Sequence, residues 1–448
     1  MSSLKKLAFR GAVLTIASYG LSNILRLGSN LILTRLLAPE FFGLMALVNV
    51  FLMGLHLFSD IGVGPSIIQN KHGEEPAFLH TAWTMQVLRG GVLWLCCIII
   101  AWPISHFYNN PPLLWLIPIV GLNTLISSFN STALYKLERD LEVGKLLVYD
   151  IGIQVITIMV MVIWAWFSPS IWALVAGNIV SAIVQLVWSH RLIPTQPMRF
   201  AWEPEAVKEI FSLGKWIFIS TAVAFLAMQA DRLILGKLIP IGLLGVYGIA
   251  MTFAEMPRGI ASSVGYKVML PAASKLAHLP REEFRAKILN NRRLLLMGAA
   301  VFLIGLSSFG DVLILSVYDY RYAQAAWMLP ILAIGIWPNL LFETLRQVLM
   351  AIGLPKYEAS GQFLKSVFVC VGLPLGFYLK GIVGAVIVVA LNDLPIYGMI
   401  AYGLWREQIS TLKQDFLMTT LFVGLLALVL IVRFSLGFGH PFSLIPSI

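Results

Sequence analysis

The sequence contains 13 long apolar stretches separated by short polar segments. An apolar helix of about 20 residues crosses the hydrocarbon core of a bilayer, so each stretch predicts one transmembrane helix. The composition agrees, because 58% of the residues are hydrophobic and only 12% are charged, against about a quarter charged in an ordinary soluble domain. The fold class predicted is an all-α polytopic membrane protein, which excludes a soluble enzyme, a nucleic-acid binder and a secreted domain. The predicted spans are 11–36, 41–69, 79–107, 112–135, 146–167, 170–190, 209–238, 242–272, 292–317, 323–351, 357–379, 381–404 and 414–434.

The distribution of positive charge predicts the orientation of these spans. If the N-terminus is cytoplasmic, 21 of the 32 Lys and Arg residues fall on the inside, 5 fall outside and 6 lie within spans. Cytoplasmic loops of membrane proteins carry such an excess of Lys and Arg. The net charge of +10 therefore indicates membrane orientation, and no nucleic-acid partner is predicted.

The chain also contains an internal repeat. The segment LTRLLAPEFFGLMAL, which begins at Leu33, aligns with LGKLIPIGLLGVYGI, which begins at Leu235, at an offset of 202 residues. Six spans separate equivalent points of the repeat, and after an even number of crossings the chain enters the membrane from the same side. The sequence therefore predicts two six-helix lobes related by a pseudo-twofold axis along the membrane normal. The predicted boundaries are an N-terminal lobe at 1–190, a cytoplasmic linker at 191–208, a C-terminal lobe at 209–405, and an accessory transmembrane helix with a tail at 406–448.

Four segments together resemble a known family. They are TRLLAPEFFGLMAL (34–47), QADRLILGKLIPIGLLGVYGIA (229–250), MLPAASKLAHLPREEFRAKILNNRR (269–293) and AIGLPKYEASGQFLK (351–365). Their order and spacing resemble the polysaccharide transporters, or O-antigen-type lipid-linked oligosaccharide flippases, of the multidrug/oligosaccharidyl-lipid/polysaccharide exporter superfamily. Many members have 14 spans, so the 13 predicted here depart from the family pattern at the C-terminal end.

This resemblance implies a function and a location. A member would move a polyprenyl-diphosphate oligosaccharide from the cytoplasmic to the outer leaflet of the bacterial inner membrane, by alternating access of its two lobes, for O-antigen, capsule or exopolysaccharide assembly. Its partners would be the lipid-linked substrate, membrane lipids, and the polysaccharide polymerase and chain-length machinery. No cofactor, metal or catalytic residue is predicted, so the chain is expected not to be an enzyme.

Basic residues inside spans are the main candidates for binding a diphosphate. Charge in a transmembrane segment is costly and by default marks a functional site, and guanidinium groups match phosphate geometry. Arg26 lies in a polar stripe of the first span, because polar residues precede and follow it by one helical turn. The alternative is that each arginine reaches the interface or pairs with an internal acid. The candidate substrate-binding residues are Arg26, Asn30, Arg89, Arg258 and Arg346.

A second set of residues is predicted to couple transport to an ion. Two of the acids, Glu255 and Glu343, precede a basic residue by three positions, which predicts intrahelical ion pairs. Such pairs can be purely structural, or they can open when phosphate arrives and free the acid to take a proton. An acid near the inner surface can equally be a solvated surface group. The candidate coupling residues are His56, Asp60, Glu255, Glu343 and Asp393.

Two other functions remain open on the sequence. A drug or small-molecule antiporter of the same superfamily would need acids in its cleft, which the excess of basic span residues argues against. A membrane glycan polymerase or ligase would need a carboxylate pair or a nucleophile outside the bilayer. The outer connectors are short and carry few ionisable groups, chiefly His106, Asp319 and Arg321.

Overall fold

The chain folds entirely into helices in the part that the structure describes. This computed structural model describes residues 3–60, 62–70, 75–140, 142–192, 198–265, 269–276 and 278–445, and no strand occurs among them. Two compact units divide the chain, Met1–Ala222 and Val223–Ile448.

Unit 1 begins with α1 and ends within α9. Its helices are α1 (Ser3–Leu36), α2 (Pro39–Phe58), α3 (Val63–Gln69), α4 (Pro76–Phe107), α5 (Leu113–Ser128), α6 (Ala133–Arg139), α7 (Val143–Phe167), α8 (Trp172–Arg191) and α9 (Pro204–Leu238). Unit 2 begins within α9. Its further helices are α10 (Ile241–Ala254), α11 (Met256–Val264), α12 (Leu270–Leu276), α13 (Arg281–Val317), α14 (Ala325–Gly335), α15 (Trp337–Ala351), α16 (Lys356–Leu391), α17 (Leu394–Arg406) and α18 (Leu412–Ser435).

The structure confirms an all-α, multi-pass membrane protein. Among the described residues, eight helical segments are long and apolar enough to cross a bilayer, or nine if the bent pair α5–α6 counts as one. Each of the 13 predicted spans lies largely on helix, although the total of 13 stays a prediction. The predicted lobe boundaries also stay predictions: residues 193–197 of the linker lie outside the described residues, and α9 already begins at Pro204.

Five of the predicted spans are interrupted: the bent pair α5–α6 is one, and the other four interruptions have local causes. The break between α2 and α3 contains Gly62, whose positive φ of 75° ends regular helix. The helices α11, α15 and α17 each begin with a proline in the first turn. Proline cannot donate the backbone hydrogen bond that would continue the preceding helix. Glu255 lies at the break before α11 and Asp393 at the break before α17, so two candidate acids lie where the backbone is irregular.

The two units repeat the same local order of helices. The helix α1 ends at Leu36 and α9 at Leu238, and α2 begins at Pro39 and α10 at Ile241, so both boundaries keep the 202-residue offset. In unit 1, α4 packs on α5, and α5 packs on α2 and α8; in unit 2, α13 packs on α14, and α14 packs on α10 and α16. These boundaries and neighbours agree with the repeat seen in the sequence, while the symmetry of the lobes and the axis that relates them stay predictions.

Two buried ion pairs join α13 to α18. At one end Arg292 of α13 pairs with Asp415 of α18, and at the other end Arg433 of α18 pairs with Asp311 of α13 at 2.5 Å. All four side chains are buried. At 1.5 Å per residue the two pairs lie about 28 Å apart along each helix, close to the hydrocarbon thickness of about 30 Å. The two helices are therefore parallel, as expected for the ninth and thirteenth spans.

The Arg292–Asp415 pair makes further hydrogen bonds. Arg292 donates to the Thr344 hydroxyl at 2.7 Å and to the Leu341 carbonyl at 2.8 Å. Asp415 accepts from the Thr411 hydroxyl at 3.0 Å and from the Tyr397 hydroxyl at 3.2 Å. Because a buried charge is tolerated only when it is paired and hydrogen-bonded, this cluster fixes α18 to the rest of unit 2.

Replacing Asp415 by asparagine should destabilise the protein strongly. The variant Asp415→Asn leaves Arg292 buried without a counter-ion, which we expect to lower the free energy of unfolding by about 3–5 kcal/mol. Unfolding in detergent, followed by circular dichroism, measures the change. The control is Lys413→Gln, an exposed residue in the first turn of α18, which should change it by about 0.5 kcal/mol or less. Equal stability of the two variants would contradict the role assigned to the pair.

Candidate functional site

Arg26 lines a polar cavity in unit 1. The cavity measures about 420 Å³, lies against α1, α7 and α8, and is lined in addition by Asp150 and Gln154. The Arg26 guanidinium donates to the Asn23 side-chain oxygen at 3.0 Å, and the Ser22 hydroxyl donates to the Gln154 side-chain oxygen at 2.7 Å. Ser22 and Arg26 of the polar stripe predicted on the first span therefore face α7 and the cavity.

Asn30, which was predicted to bind substrate with Arg26, lies one turn further along α1. Its carbonyl accepts from the Thr34 hydroxyl at 2.8 Å. It is not among the residues that line the Arg26 cavity, so its substrate role stays a prediction without geometric support.

Arg89 lines a second cavity of unit 1, which we call the Arg89 cavity. It measures about 300 Å³ and lies against α2, α4, α5 and α6, and His56 also lines it. The Arg89 guanidinium donates through Nε to the Ser59 hydroxyl at 2.9 Å and through Nη2 to the His56 carbonyl at 2.7 Å. These contacts hold the arginine at the C-terminal end of α2, where the helix dipole favours a cation.

Asp60 has a local structural contact. Its carboxylate accepts from the Gly62 backbone N–H at 2.9 Å, across the break between α2 and α3. Neither Arg26 nor Arg89 forms an ion pair within 4.0 Å with an acid in the described part of the chain. Unit 1 therefore presents two guanidinium groups that are held by neutral partners.

The basic residues of unit 2 are arranged differently. Arg258 pairs with Glu255 at 3.5 Å and with Asp393, and Lys365 pairs with the same Asp393 at 2.6 Å. Asp393 is only 1% exposed. A carboxylate buried this deeply requires a counter-charge, and here two cations supply it.

Arg346 also lies between two carboxylates. It pairs with Glu343 at 2.8 Å and with Glu358 at 3.0 Å. The structure thus contains both pairs that the three-residue spacing predicted, and adds a further partner to each. Together the two networks hold four carboxylates against three cations, so the positive charge of Arg258 and Arg346 is already neutralised within unit 2.

The sequence missed two residues of these networks. Lys365 and Glu358 are close to the predicted inner end of a span, where a charged residue needs no special explanation. The packing of α16 against α17 brings Lys365 to Asp393, and an ion pair joins Glu358 of α16 to Arg346 of α15. The remaining signal was that Lys365 falls eight residues inside the predicted span 357–379.

Comparison with known proteins identifies the family. The model of a family described as "Polysaccharide biosynthesis protein" matches residues 32–326, which is about two thirds of the chain. The chain belongs to this family. Three relatives have names that fit it, and the chain spans about half to two thirds of their length. They are the teichuronic acid biosynthesis protein TuaB of Bacillus subtilis (strain 168), 25% identical over 68% of this chain and 64% of that protein; the succinoglycan biosynthesis transport protein ExoT of Rhizobium meliloti (strain 1021), 22% identical over 68% and 61%; and the lipopolysaccharide biosynthesis protein WzxC of Escherichia coli (strain K12), 24% identical over 55% and 50%.

Solved structures show the fold of this polysaccharide biosynthesis protein. It is similar to the lipid II flippase MurJ in an inward closed conformation, with a TM-score of 0.72 at 14% identity over 93% of this chain and 92% of that one. It is also similar to an inward-facing multidrug resistance MATE family transporter of the MOP superfamily, with a TM-score of 0.71 at 12% identity over 88% and 99%. The chain therefore shares the fold of these two transporters.

The two cations around Asp393 should be energetically coupled. Arg258→Gln leaves Lys365 as partner and Lys365→Met leaves Arg258, whereas the double variant leaves a buried, unpaired carboxylate. We expect the double variant to lose about 0.5–3 kcal/mol more unfolding free energy than the sum of the single variants. Denaturant unfolding in detergent measures this difference. Adding Asp393→Asn should restore part of the loss, and strictly additive single effects would contradict the shared network.

Proposed function

We propose that this protein is an inner-membrane flippase that moves a lipid-linked oligosaccharide from the cytoplasmic to the outer leaflet. The observation that carries the proposal is the pair of guanidinium groups, Arg26 and Arg89, which line polar cavities of unit 1 and form no ion pair with the acids that the structure describes. The names of the relatives support it, since they are assigned to teichuronic acid, succinoglycan and lipopolysaccharide biosynthesis. The fold shared with a lipid II flippase agrees with it.

The chemistry of the substrate explains why such cavities are needed. A polyprenyl diphosphate-sugar carries a compact negative charge and many hydroxyls, which lose their water in hydrocarbon at a cost of several kcal/mol per group. Arg26 and Arg89 would replace that water on the phosphates through charge-assisted hydrogen bonds. The polar side chains around them would receive the sugar, while the lipid tail stays in the bilayer. The protein would act by this binding and by alternating access, without catalysis.

Unit 2 would have a different task in this mechanism. Because Arg258 and Arg346 are neutralised by carboxylates, they are poorer phosphate ligands than the arginines of unit 1. The acids Glu255, Glu343 and Asp393 would instead exchange their basic partners for a proton or a cation during the transport cycle. His56, which lines the Arg89 cavity, would be a further candidate for coupling transport to an ion.

The charge distribution supports a direction of transport. The excess of Lys and Arg on one side supports a cytoplasmic N-terminus in a bacterial cell. An inside-negative potential favours outward movement of negative charge by about 2.3 kcal/mol per charge per 100 mV. Export of an anionic head group is therefore assisted by the potential. Polymerase and chain-length proteins would receive the exported repeat outside.

A drug antiporter is the second candidate function. One observation favours it: unit 2 holds one more carboxylate than cation in its two networks, and a cationic drug needs acidic partners. The same acids are occupied by Arg258, Lys365 and Arg346, however, and the two arginines of unit 1 would repel a cation. We therefore place the flippase first.

Removing either arginine of unit 1 should slow head-group translocation. In proteoliposomes that contain a fluorescent polyprenyl-diphosphate glycan, Arg26→Gln and Arg89→Gln should each lower the initial rate about tenfold or more. This is the expected effect of losing one charge-assisted hydrogen bond of about 1.5–3 kcal/mol. The matched control is Arg191→Gln at the exposed C-terminal end of α8, which should translocate at the wild-type rate.

Two results would count against the flippase. Wild-type protein that leaves the glycolipid in its original leaflet removes the proposed function. Unchanged rates in both arginine variants, at wild-type folding, remove the role of the two cavities. Proton-driven efflux of a cationic dye by the same proteoliposomes would favour the antiporter.

A further inference from the structure

The Arg89 cavity contains two buried oxygen atoms without a hydrogen-bond donor. Gln86 and Asn130 line this cavity, and among the described residues neither Gln86 Oε1 nor Asn130 Oδ1 has a partner, although both atoms are buried. An unsatisfied buried acceptor costs about 1–3 kcal/mol, so native proteins keep few of them. Two in one cavity point to a ligand that brings donors.

The orientation of the Gln86 amide is fixed by its neighbours. Its Nε2 donates to the Ser128 carbonyl at 2.9 Å and to the Asn130 carbonyl at 3.4 Å. Turning the amide over would place its oxygen against two carbonyl oxygens, so the hydrogen-bond network assigns the acceptor position unambiguously. The orphaned oxygen of Gln86 is therefore a property of the folded chain.

The hydroxyls that line the same cavity also present acceptors. Thr124 donates to the Gly121 carbonyl at 2.7 Å, Ser128 to the Leu125 carbonyl at 2.6 Å, and Ser127 to the Asn123 side-chain oxygen at 2.9 Å. A hydroxyl has one proton and two lone pairs. Because each proton is already used, what these oxygens offer to a ligand is acceptor lone pairs.

Arg89 contributes a cation to the lining of the cavity. Arg89 uses Nε and Nη2 to hold Ser59 and His56, and within the described part of the chain its Nη1 donates to nothing. The ring of Tyr135 also lines the cavity and adds an apolar face with a polar tip. Glu138 and His56 line the cavity as well, so it combines many acceptors, one of them a carboxylate, with a guanidinium donor, an imidazole and an aromatic ring.

We propose that the Arg89 cavity binds the sugar ring that carries the phosphate. The ring hydroxyls would donate to Gln86 Oε1, Asn130 Oδ1 and the serine and threonine oxygens, and the phosphate would accept from Arg89. A volume of about 300 Å³ is at the small end of ligand cavities, so it holds about one ring and not a whole repeat unit. The identification of the natural ligand rests on the proposed flippase function, whereas recognition of a sugar phosphate can be tested alone.

Other ligand classes fit this cavity less well. Inorganic phosphate brings few donors and would leave Gln86 and Asn130 unsatisfied. An ammonium-bearing drug would supply donors and would find one carboxylate, Glu138, but it would also meet the charge of Arg89. A sugar phosphate is the class whose donors and negative charge match both features.

Protection of an introduced thiol tests the proposal. The full-length protein, in detergent and with Cys96, Cys97 and Cys370 replaced by alanine, receives Ser127→Cys in the Arg89 cavity. A second protein receives Ser181→Cys in the Arg26 cavity. Modification by a small methanethiosulfonate is timed with glucose 1-phosphate, with N-acetylglucosamine 1-phosphate, or with inorganic phosphate at equal concentration. We expect at least one sugar phosphate to protect the thiol at position 127 several-fold better than inorganic phosphate does. Neither sugar phosphate should protect the thiol at position 181 to the same extent.

Two further substitutions separate recognition from simple occlusion. Adding Gln86→Met removes an orphaned acceptor and should weaken the apparent affinity of the protecting sugar phosphate about fivefold or more. The same substitution in the neighbouring cavity, Gln154→Met, should leave the protection at position 127 unchanged. Thermal unfolding in detergent confirms that each variant is folded.

The possible results divide clearly. Equal protection by inorganic phosphate and by the sugar phosphates would show that the cavity binds anions without recognising a sugar. The absence of protection by any probe would overturn the proposal. Protection that is unchanged in the Gln86→Met variant would also overturn it. Translocation in proteoliposomes is read separately. Sugar-phosphate protection without glycolipid translocation would refute the flippase but keep this site, whereas translocation without protection would refute only the site.

Discussion

The cost of charge within a bilayer is the constraint on which this structure depends. A charged side chain in a transmembrane segment must be paired, hydrogen-bonded or exposed to water. The chain meets this requirement in different ways in its two units. Unit 2 pairs its basic residues directly with carboxylates, as at Arg258 and Asp393, whereas unit 1 holds Arg26 and Arg89 with amide, hydroxyl and carbonyl oxygens beside polar cavities. This asymmetry is what separates a proposed anion site from a proposed coupling site.

The same constraint explains the accessory helix. Between α13 and α18, Arg292 pairs with Asp415 and Arg433 with Asp311, and the acid and base exchange helices from one end to the other. An antiparallel or shifted α18 would leave all four charges buried and unpaired, so the two pairs specify one direction and one register. In this account α18 belongs to the rigid part of unit 2 and does not move independently during transport.

Much of the fold was predictable because apolar length and charge asymmetry are strong local signals. The predicted spans ended at 36 and 238, as α1 and α9 do, and began at 41 and 242, within two residues of the starts of α2 and α10. The interruptions at Glu255 and Asp393 were missed, because a hydrophobic run hides a single proline. Residue spacing found Glu255–Arg258 and Glu343–Arg346, which are one turn apart, but not Lys365–Asp393, whose residues are 28 positions apart in the sequence. The orphaned oxygens of Gln86 and Asn130 could not be predicted, because they depend on how the fold brings α4 and the segment after α5 together. The Gln86 amide, for example, is oriented by the Ser128 and Asn130 carbonyls.

The location of the bound diphosphate tests the central claim most directly. A cryo-electron microscopy structure of the full-length protein in lipid nanodiscs, with a polyprenyl-diphosphate oligosaccharide bound, would show which guanidinium groups touch the phosphates. The account predicts phosphate oxygens about 2.7–2.9 Å from the nitrogens of Arg26 or Arg89, with Arg258 and Arg346 still paired to their carboxylates. Phosphates held by Arg258 or Arg346, with both arginines of unit 1 remote from the head group, would contradict it.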